Sequence, residues 1–401
     1  MTAAGWRFIA QRATTGQFLD WDVPLVLDQA PKRELNGPGQ LIGRINPEYV
    51  RLQAKPDGLR ILEEWSTALY AEFHGRIRWG GIVTHMSWEG QSYKIECAGF
   101  NAYPNGMAYT GPEIHSGLKT VVKSKYNDKN HDGYIDGSKP KKKMPKEKFN
   151  ISKRIDAYDM VRTVWSHLQS KKFGNLGLVV DKHDSGYLLG ASNGDDPYEV
   201  VWWEAPDCGD LIRQVMSLAH ADFAEYHQWD GDKQKISHRL LLGKRRLGRT
   251  RNDLRFCQGE NIIALANPEG QGEDYANELL VLGKGTGRKM AKVTVHRGGD
   301  NRLRRARVIT SKGTSNAALL RKSADTWLAK HTQLLTVPQI AVRDHPNALL
   351  GSWAMGDRIL VQVDVPWVGE LAVWHRVMAE EIDPVAGTAI LTLSRADAVN
   401  S

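Results

Sequence analysis

Through the first hundred residues apolar and polar positions alternate with period two, the pattern of strands buried on one face. Residues 7–22 alternate around Thr14-Thr15-Gly16 and predict a hairpin. Further strands are predicted at 41–45, 59–65, 69–73, 76–79, 82–88 and 93–100, with turns at His74-Gly75 and Glu89-Gly90. Strands at this spacing suggest a sandwich or barrel. The period then changes. In 155–171, Ala157, Met160, Val161, Val164, Trp165 and Leu168 recur at three- and four-residue steps, predicting a helix with one buried face. Residues 206–218 read as a shorter helix. Residues 315–330 read as another, with Ser315 as N-cap and Leu319, Leu320, Ala324, Trp327 and Leu328 inward. Strand patterns recur at 198–203, 223–229, 236–242, 358–365, 370–380 and 388–394.

β segments therefore bracket a mixed middle. The expected class is α+β, mainly β, in four parts. Residues 1–108 form a first β domain, and 109–197 a mixed α/β connecting domain whose stretch 126–150 is a polar, lysine-rich loop. Residues 198–242 plus 340–401 form a second β domain, with 243–339 inserted as a further α/β domain. A length of 401 residues suits about two to four domains.

Composition narrows the class. With 41% hydrophobic and 25% charged residues the chain is expected to fold rather than remain disordered. No stretch approaches the ~20 apolar residues of a membrane span. The N-terminal text MTAAGWRFIAQR lacks the apolar core of a signal peptide, so maturation inside a cell is expected. Cys97, Cys208 and Cys257 form no CxxC pair, which argues for reduced, buried thiols. The windows 139–154, 237–256 and 284–312 hold 25 basic and 3 acidic residues, a surplus of +22 in a chain whose total is +8. The remainder is therefore acidic, at −14. Such stripes suit nucleic acid, solvated faces or subunit contacts. Thirteen tryptophans favour large cores and interfaces.

The sharpest local motif is residues 128–136, DKNHDGYID. It matches the first nine positions of an EF-hand-type calcium loop, D-x-N-x-D-G-x-I-D. Asp128, Asn130, Asp132 and Asp136 would supply side-chain oxygens to a structural Ca²⁺, and Tyr134 its backbone carbonyl. Lys139 stands where the twelfth-position glutamate belongs, so the other reading is a polar turn. Gly283-Lys-Gly285-Thr-Gly287 lacks the P-loop pattern and precedes strand-like alternation, which predicts a glycine-rich hairpin. His220, Asp222, Glu225 and His227 are close in sequence but match no zinc-helix spacing, and a strand is expected there. No nucleophile-elbow motif or nucleophile–base grouping stands out. Nothing in this pattern calls for an enzyme.

Several stretches together resemble the tail-hub, or tail-associated minor tail, proteins of long non-contractile-tailed phages, especially those of actinobacteria. They are LEEWSTALYAEFHGRIRWGGIV (62–83), IECAGFNAY (95–103), LLGKRRLGRTRNDLRFCQGENI (241–262), EDYANELLVLGKGTG (273–287), LRRARVI (303–309) and GDRILVQVDVPWVGELAVWHRVMAEEIDPVAGTAILTLSR (356–395). Their colinearity carries the resemblance, and 126–150 lies outside it.

The resemblance implies a baseplate-hub-like fold, in which the two β domains are tube-like barrels. It implies a structural virion protein at the tail tip, assembled in the host bacterial cytoplasm as a homotrimer whose six barrels continue a sixfold tube. Its partners would be the distal tail protein, the tape-measure protein and other minor tail or tip proteins, with genomic DNA passing transiently at ejection. Two other readings stand beside it. One is a tail-associated cell-wall hydrolase; the other is a nucleic-acid-binding protein using the basic stripes. Under the hub reading Arg245, Arg246, Arg249, Arg304 and Arg305 pair with carboxylates at domain or subunit contacts, whereas the nucleic-acid reading gathers them on one open groove.

Overall fold

The alternating N-terminal text folds into β1 (Trp6–Arg12), β2 (Phe18–Asp20), β3 (Val26–Leu27), β4 (Lys32–Glu34), β5 (Gln40–Ile45), β6 (Thr67–Phe73), β7 (Arg76–Glu89) and β8 (Ser92–Ala98), with a short helix α1 (Pro47–Leu52). The computed structural model describes residues 5–52, 60–122, 129, 134–143, 148–151, 153–192, 194, 196–244, 246–265, 269–270, 275–297, 302–311, 315–331, 335–365 and 369–396. β1 and β2 make the expected hairpin. His74 and Gly75 both adopt positive φ, which lets β6 turn directly into β7. The two strands expected at 76–79 and 82–88 are one continuous strand of 14 residues. Gly80 and Gly81 sit mid-strand because neighbours crowd them, not because the chain turns. A Cβ on Gly81 would lie 2.4 Å from the Ala98 carbonyl, and one on Gly80 would lie 2.7 Å from the Tyr70 ring. Residues 60–65 are irregular where a strand was expected, and Trp65 takes a positive φ.

The middle of the chain gives β9 (Ile114–Ser116), β10 (Lys119–Val122), β11 (Lys148–Ile151), α2 (Ala157–Gln169), β12 (Leu178–Val180), β13 (Tyr198–Val200), α3 (Cys208–Leu218), β14 (Phe223–Trp229) and β15 (Ile236–Leu242). The helices start where carboxylates cap them. Asp156 accepts from the Tyr158 N–H at 2.8 Å, and Asp207 from the Asp210 N–H at 2.9 Å. The apolar face predicted for α2 is buried throughout, in one core with Leu211, Ile212 and Val215 of α3 and Leu240 of β15. β10 and β11 pair antiparallel, so the lysine-rich stretch closes in a strand from residue 148.

Next come β16 (Thr250–Cys257), β17 (Ile262–Leu265), β18 (Glu269–Gly270), β19 (Glu278–Leu282), β20 (Lys292–His296), β21 (Ala306–Thr310), α4 (Ala317–His331), β22 (Leu335–Thr336), β23 (Gln339–Arg343), β24 (Arg358–Val365), β25 (Gly369–Asp383) and β26 (Thr388–Arg395). β19, β20 and β21 form a small sheet under α4, reached through the two-stranded neck β18–β22. Leu320, Ala324 and Leu328 of α4 are buried on that sheet as expected, but Leu319 is exposed. The cap of α4 is Asn316 rather than Ser315: its side-chain oxygen accepts from the Ala318 N–H at 2.9 Å.

Sheet pairing revises the grouping of segments. β14 and β15 do not join the C-terminal strands. They pair with each other and, through β15, with β12, so 223–242 packs with α2 and α3. β16 and β17, expected within an inserted domain, pair with β24 and β23 instead. The physical reason is burial: Leu254, Phe256 and Ile262 complete the apolar core of the C-terminal strands. One sheet of fourteen strands then runs through both ends of the chain. Its N-terminal half is ordered β5-β8-β7-β6-β1 and its C-terminal half β23-β26-β25-β24-β16, the same order relative to the chain in each half. The long bent strands β7 and β25 occupy matching places, each with a bulge against its next strand. One difference is direction: β1 lies antiparallel to β6, whereas β16 lies parallel to β24.

The halves join where β4 pairs with β25, Arg33 opposite Glu380. Arg33 Nη1 lies 2.8 Å from Glu380 Oε1, and the Trp353 indole N–H donates to the other oxygen at 2.9 Å. Beyond β4, the Asn36 N–H donates to the Phe223 carbonyl at 2.9 Å, tying the same segment to the middle unit. Asp222 completes the joint. It is fully buried, and it accepts from Asn36 Nδ2 at 3.1 Å, the Leu247 N–H at 3.0 Å, Arg246 Nη1 at 3.2 Å and both terminal nitrogens of Arg376. Burial alone would push this carboxyl's pKa up; the hydrogen-bonded Arg376 guanidinium, with Asn36 and Arg246, holds it below the usual range.

Arg376 is 3% exposed, so removing its acid strands a buried charge. Asp222→Ala is expected to destabilise the fold by about 3–5 kcal/mol. Adding Arg376→Leu should recover part of that loss. Urea unfolding of the two variants beside the parent chain checks both expectations.

Candidate functional site

The group His220, Asp222, Glu225 and His227 does not converge on a metal. Asp222 serves the joint just described. His220 turns away at the end of α3, with a φ of +49°. Glu225 and His227 project from the same face of β14 into the interior. There they meet Tyr70 of β6, Phe100 and a residue the sequence pattern did not single out, His238 of β15. The β14–β15 register sets His238 opposite His227, with Nδ1 of the two rings 3.1 Å apart. Only the register of the hairpin could have revealed this pair, because eleven positions separate the residues in sequence.

These groups form a buried chain. Glu225 accepts from the Phe100 N–H at 2.9 Å and from the Asn101 N–H, and its Oε2 lies 3.4 Å from His227 Nε2. At the far end Tyr70 Oη lies 3.4 Å from His238 Nε2. Burial pushes Glu225 up to about 8, although the two backbone N–H groups oppose the shift. Burial pulls His227 and His238 down to about 3. At neutral pH all three are therefore uncharged, and the Glu225–His227 contact is a neutral hydrogen bond rather than an ion pair. A protonated Glu225 fixes the order of donors: Glu225 to His227, His227 to His238, and His238 to Tyr70. The chain is a neutral polar network in the core, and it bonds the N-terminal half to the middle unit.

The calcium loop is partly in view. Asp128, Asn130 and Asp132 lie outside the described residues. Of the others, the Asp136 carboxylate accepts from the Lys129 N–H at 2.8 Å, drawing the second and ninth positions together. Tyr134 bridges to Lys143, and the Ile135 N–H donates to the Lys142 carbonyl at 2.8 Å, so the lysine run folds back over the loop. Among the described residues no group of three or more His, Cys, Asp or Glu could hold a metal ion. The glycine stretch 283–287 lies in the link between the antiparallel strands β19 and β20, as its pattern predicted.

Some arginines of the basic windows pair with acids of the chain itself. Arg246 pairs with Asp222, Arg304 clasps Glu278 with Nε at 2.7 Å, and Arg251 bonds both Asp253 at 2.7 Å and Asp357 at 3.2 Å. Arg249 and Arg305 are exposed, and Arg245 lies outside the described residues. Large aromatic groups reach the surface elsewhere. Trp65 (55%), Trp88 (58%), Trp202 (52%) and Trp203 (58%) are the most exposed tryptophans among the described residues. No described helix is long and apolar enough to cross a membrane.

No protein-family model matches the chain. No curated protein matches it either. Solved structures do. The chain is similar to the 43 kDa tail protein of prophage MuSo2 from Shewanella oneidensis, with a TM-score of 0.53 at 11% identity, over 98% of this chain and 99% of that one. It is similar to a tail protein from Neisseria meningitidis MC58, with a TM-score of 0.54 at 11% identity, over 98% of both chains. It is also similar to prophage tail protein gp18 from Listeria monocytogenes EGD-e, with a TM-score of 0.52 at 10% identity, over 97% of this chain and 95% of that one. At these identities the likeness is one of fold: this chain has the fold of phage tail proteins over nearly its whole length.

The buried network makes stability depend on pH in a signed way. The folded chain keeps the Glu225 proton up to about pH 8, whereas an unfolded glutamate releases it near 4.5. The native state thus binds the extra proton, and this contribution to stability falls as pH rises between those values. The histidines act oppositely: their neutral burial costs more as pH drops below 6.5 towards 3. Relative to Glu225→Gln, the parent chain should lose about 1.4 kcal/mol of stability per pH unit from about pH 5 to 8. Urea unfolding of both chains across that range is the measurement; parallel profiles would exclude the assignment.

Proposed function

We propose that this chain is a structural protein of a phage tail tip, a hub whose two β halves act as tube-like barrels. The observation that carries the reading is the repeated strand order of the two halves within one continuous sheet. One chain then supplies two similar units to a ring, and three chains in a closed threefold arrangement supply six. A ring of six matches a sixfold tail tube. In this role the hub joins the distal tail protein and tape-measure protein to tip proteins, closes the tube and opens for DNA passage. The likeness of fold to prophage tail proteins supports it. So does the internal pairing of Arg246, Arg251 and Arg304, which leaves those basic side chains committed to acids rather than to phosphates. The site chemistry described above is structural, and the role asks for no catalysis.

The purified chain, alone or with its neighbouring tail proteins, should form particles of about three times its 44.9 kDa, with threefold rings in negative-stain images. Mass photometry reads the first and class averages the second. A chain that stays monomeric in both settings, or that turns over purified peptidoglycan, speaks against this role.

We also propose that the loop 128–136 holds one Ca²⁺ as a staple at the tip of the β10–β11 ribbon. Closure of the loop by Asp136 onto the Lys129 N–H favours it. Lys139 at the twelfth position removes the bidentate ligand, so affinity should be weak, about 10⁻⁴–10⁻³ M. Calorimetry with CaCl₂ should show uptake that Asp132→Asn removes; no heat at millimolar calcium would end the idea.

A further inference from the structure

Beside the joint of the two sheet halves lies a cleft of about 380 Å³, walled by Arg33 of β4, Arg76, Arg78 and Trp79 of β7, and Glu225 and Trp229 of β14. Its charge is unbalanced. Arg33 already pairs with Glu380. Arg76 is exposed and Arg78 half-buried, and neither guanidinium has a hydrogen bond or ion pair with any described residue. The Nε of Arg78 is enclosed by protein and has no acceptor. Burial, then the neighbouring charge of Arg76, lowers the pKa of Arg78; Glu380 opposes the shift and Arg33 adds to it. Lys233 hangs over the mouth, its Nζ 3.2 Å from where a side chain on Gly75 would begin.

Glu380 is already held by Arg33 and the Trp353 indole, and the other acids nearby do not answer these cations. The Glu225 oxygens are turned onto the Phe100 and Asn101 N–H groups, and the group is neutral at physiological pH. The Glu34 carboxyl lies over Gly37, 2.9 Å from its ideal Cβ position. An enclosed donor without an acceptor is costly, which favours an anion beside this guanidinium. The volume is also too generous for a lone ion, falling in the range of ligand pockets, and the indoles of Trp79 and Trp229 give it apolar walls.

We propose that this cleft is a docking site for a partner polypeptide, receiving an acidic side chain between Arg76 and Arg78. Arginine's planar fork suits a carboxylate, and the aromatic walls suit the adjoining peptide. The proposal rests on the tail-tip reading only for the expectation that the partner is another tail protein.

Titration calorimetry on the full chain tests it, with an acetylated and amidated tetraglutamate, its tetraglutamine counterpart and inorganic phosphate as probes. Tetraglutamate should bind once per chain, tetraglutamine should give no heat, and phosphate should bind far more weakly. Arg76→Gln with Arg78→Gln should weaken tetraglutamate at least about tenfold, as expected for loss of charge-assisted bonds. Arg76→Glu, at an exposed position, should do the same. Arg304→Gln with Arg305→Gln, in a basic stretch elsewhere, should change nothing. Binding unaffected by the cleft variants, or absent from the parent chain, overturns the proposal; phosphate binding as tightly as tetraglutamate makes this a free-anion site instead. A trimer that ignores the peptide removes this inference and leaves the hub reading standing, and a monomer that binds it does the reverse.

Discussion

A single buried carboxylate holds the parts of this protein in register. Asp222 sits where three segments far apart in sequence meet: Asn36 from the end of β4, Arg246 and Leu247 after β15, and Arg376 on β25. Each supplies donors, so the oxygens are satisfied only when all three have arrived. A buried ion pair of this kind adds little net stability over an apolar substitute, but it penalises wrong arrangements heavily. Its value here is positional. The same few residues that reach Asp222 also continue the sheet, because β4 pairs with β25 immediately before Asn36. If the two halves slipped by one residue, Arg33 would leave Glu380 and the Asn36 contact would break with it.

What the sequence made legible follows from the range of the interactions involved. The helices α2 and α3 and the strands β24, β25 and β26 were readable because their patterns are local: apolar residues at helical steps, carboxylate caps and clean alternation. The grouping of strands was not. β16 owes its place to β24, about a hundred residues later, and nothing near Leu254 or Phe256 announces that partner. Gly80-Gly81 misled in a different way. Two glycines ordinarily signal a turn, but here they leave room for Ala98 and Tyr70 to approach the strand. At the buried network, Glu225 and His227 were visible as an odd polar pair, while His238 needed the hairpin register to bring it within reach.

The charge pattern illustrates the same limit. Read along the chain, the windows 237–256 and 284–312 are basic stripes. Folding supplies acids that sequence distance hides: Asp222 for Arg246, Asp357 for Arg251 and Glu278 for Arg304. Each such pair lowers the field a stripe presents to a phosphate backbone below what its residue count implies. Other basic residues of those windows stay exposed, among them Arg249, Arg288, Lys289 and Arg305. Of these pairs, Arg246 with Asp222 belongs to the joint between units, whereas Arg251 with Asp357 and Arg304 with Glu278 brace single units.

Continuity of the sheet gives that fixing a mechanical meaning. Two packed domains joined by side chains can rock, since their contact is a set of separable patches. Two domains that share hydrogen-bonded strands cannot rotate independently without breaking backbone bonds at β4–β25. The inserted unit with α4 is different. It hangs on the two-stranded neck β18–β22 and packs around its own small core, outside the continuous sheet. The fold therefore separates a stiff frame, built from both ends of the chain, from an appended unit on a narrow stalk.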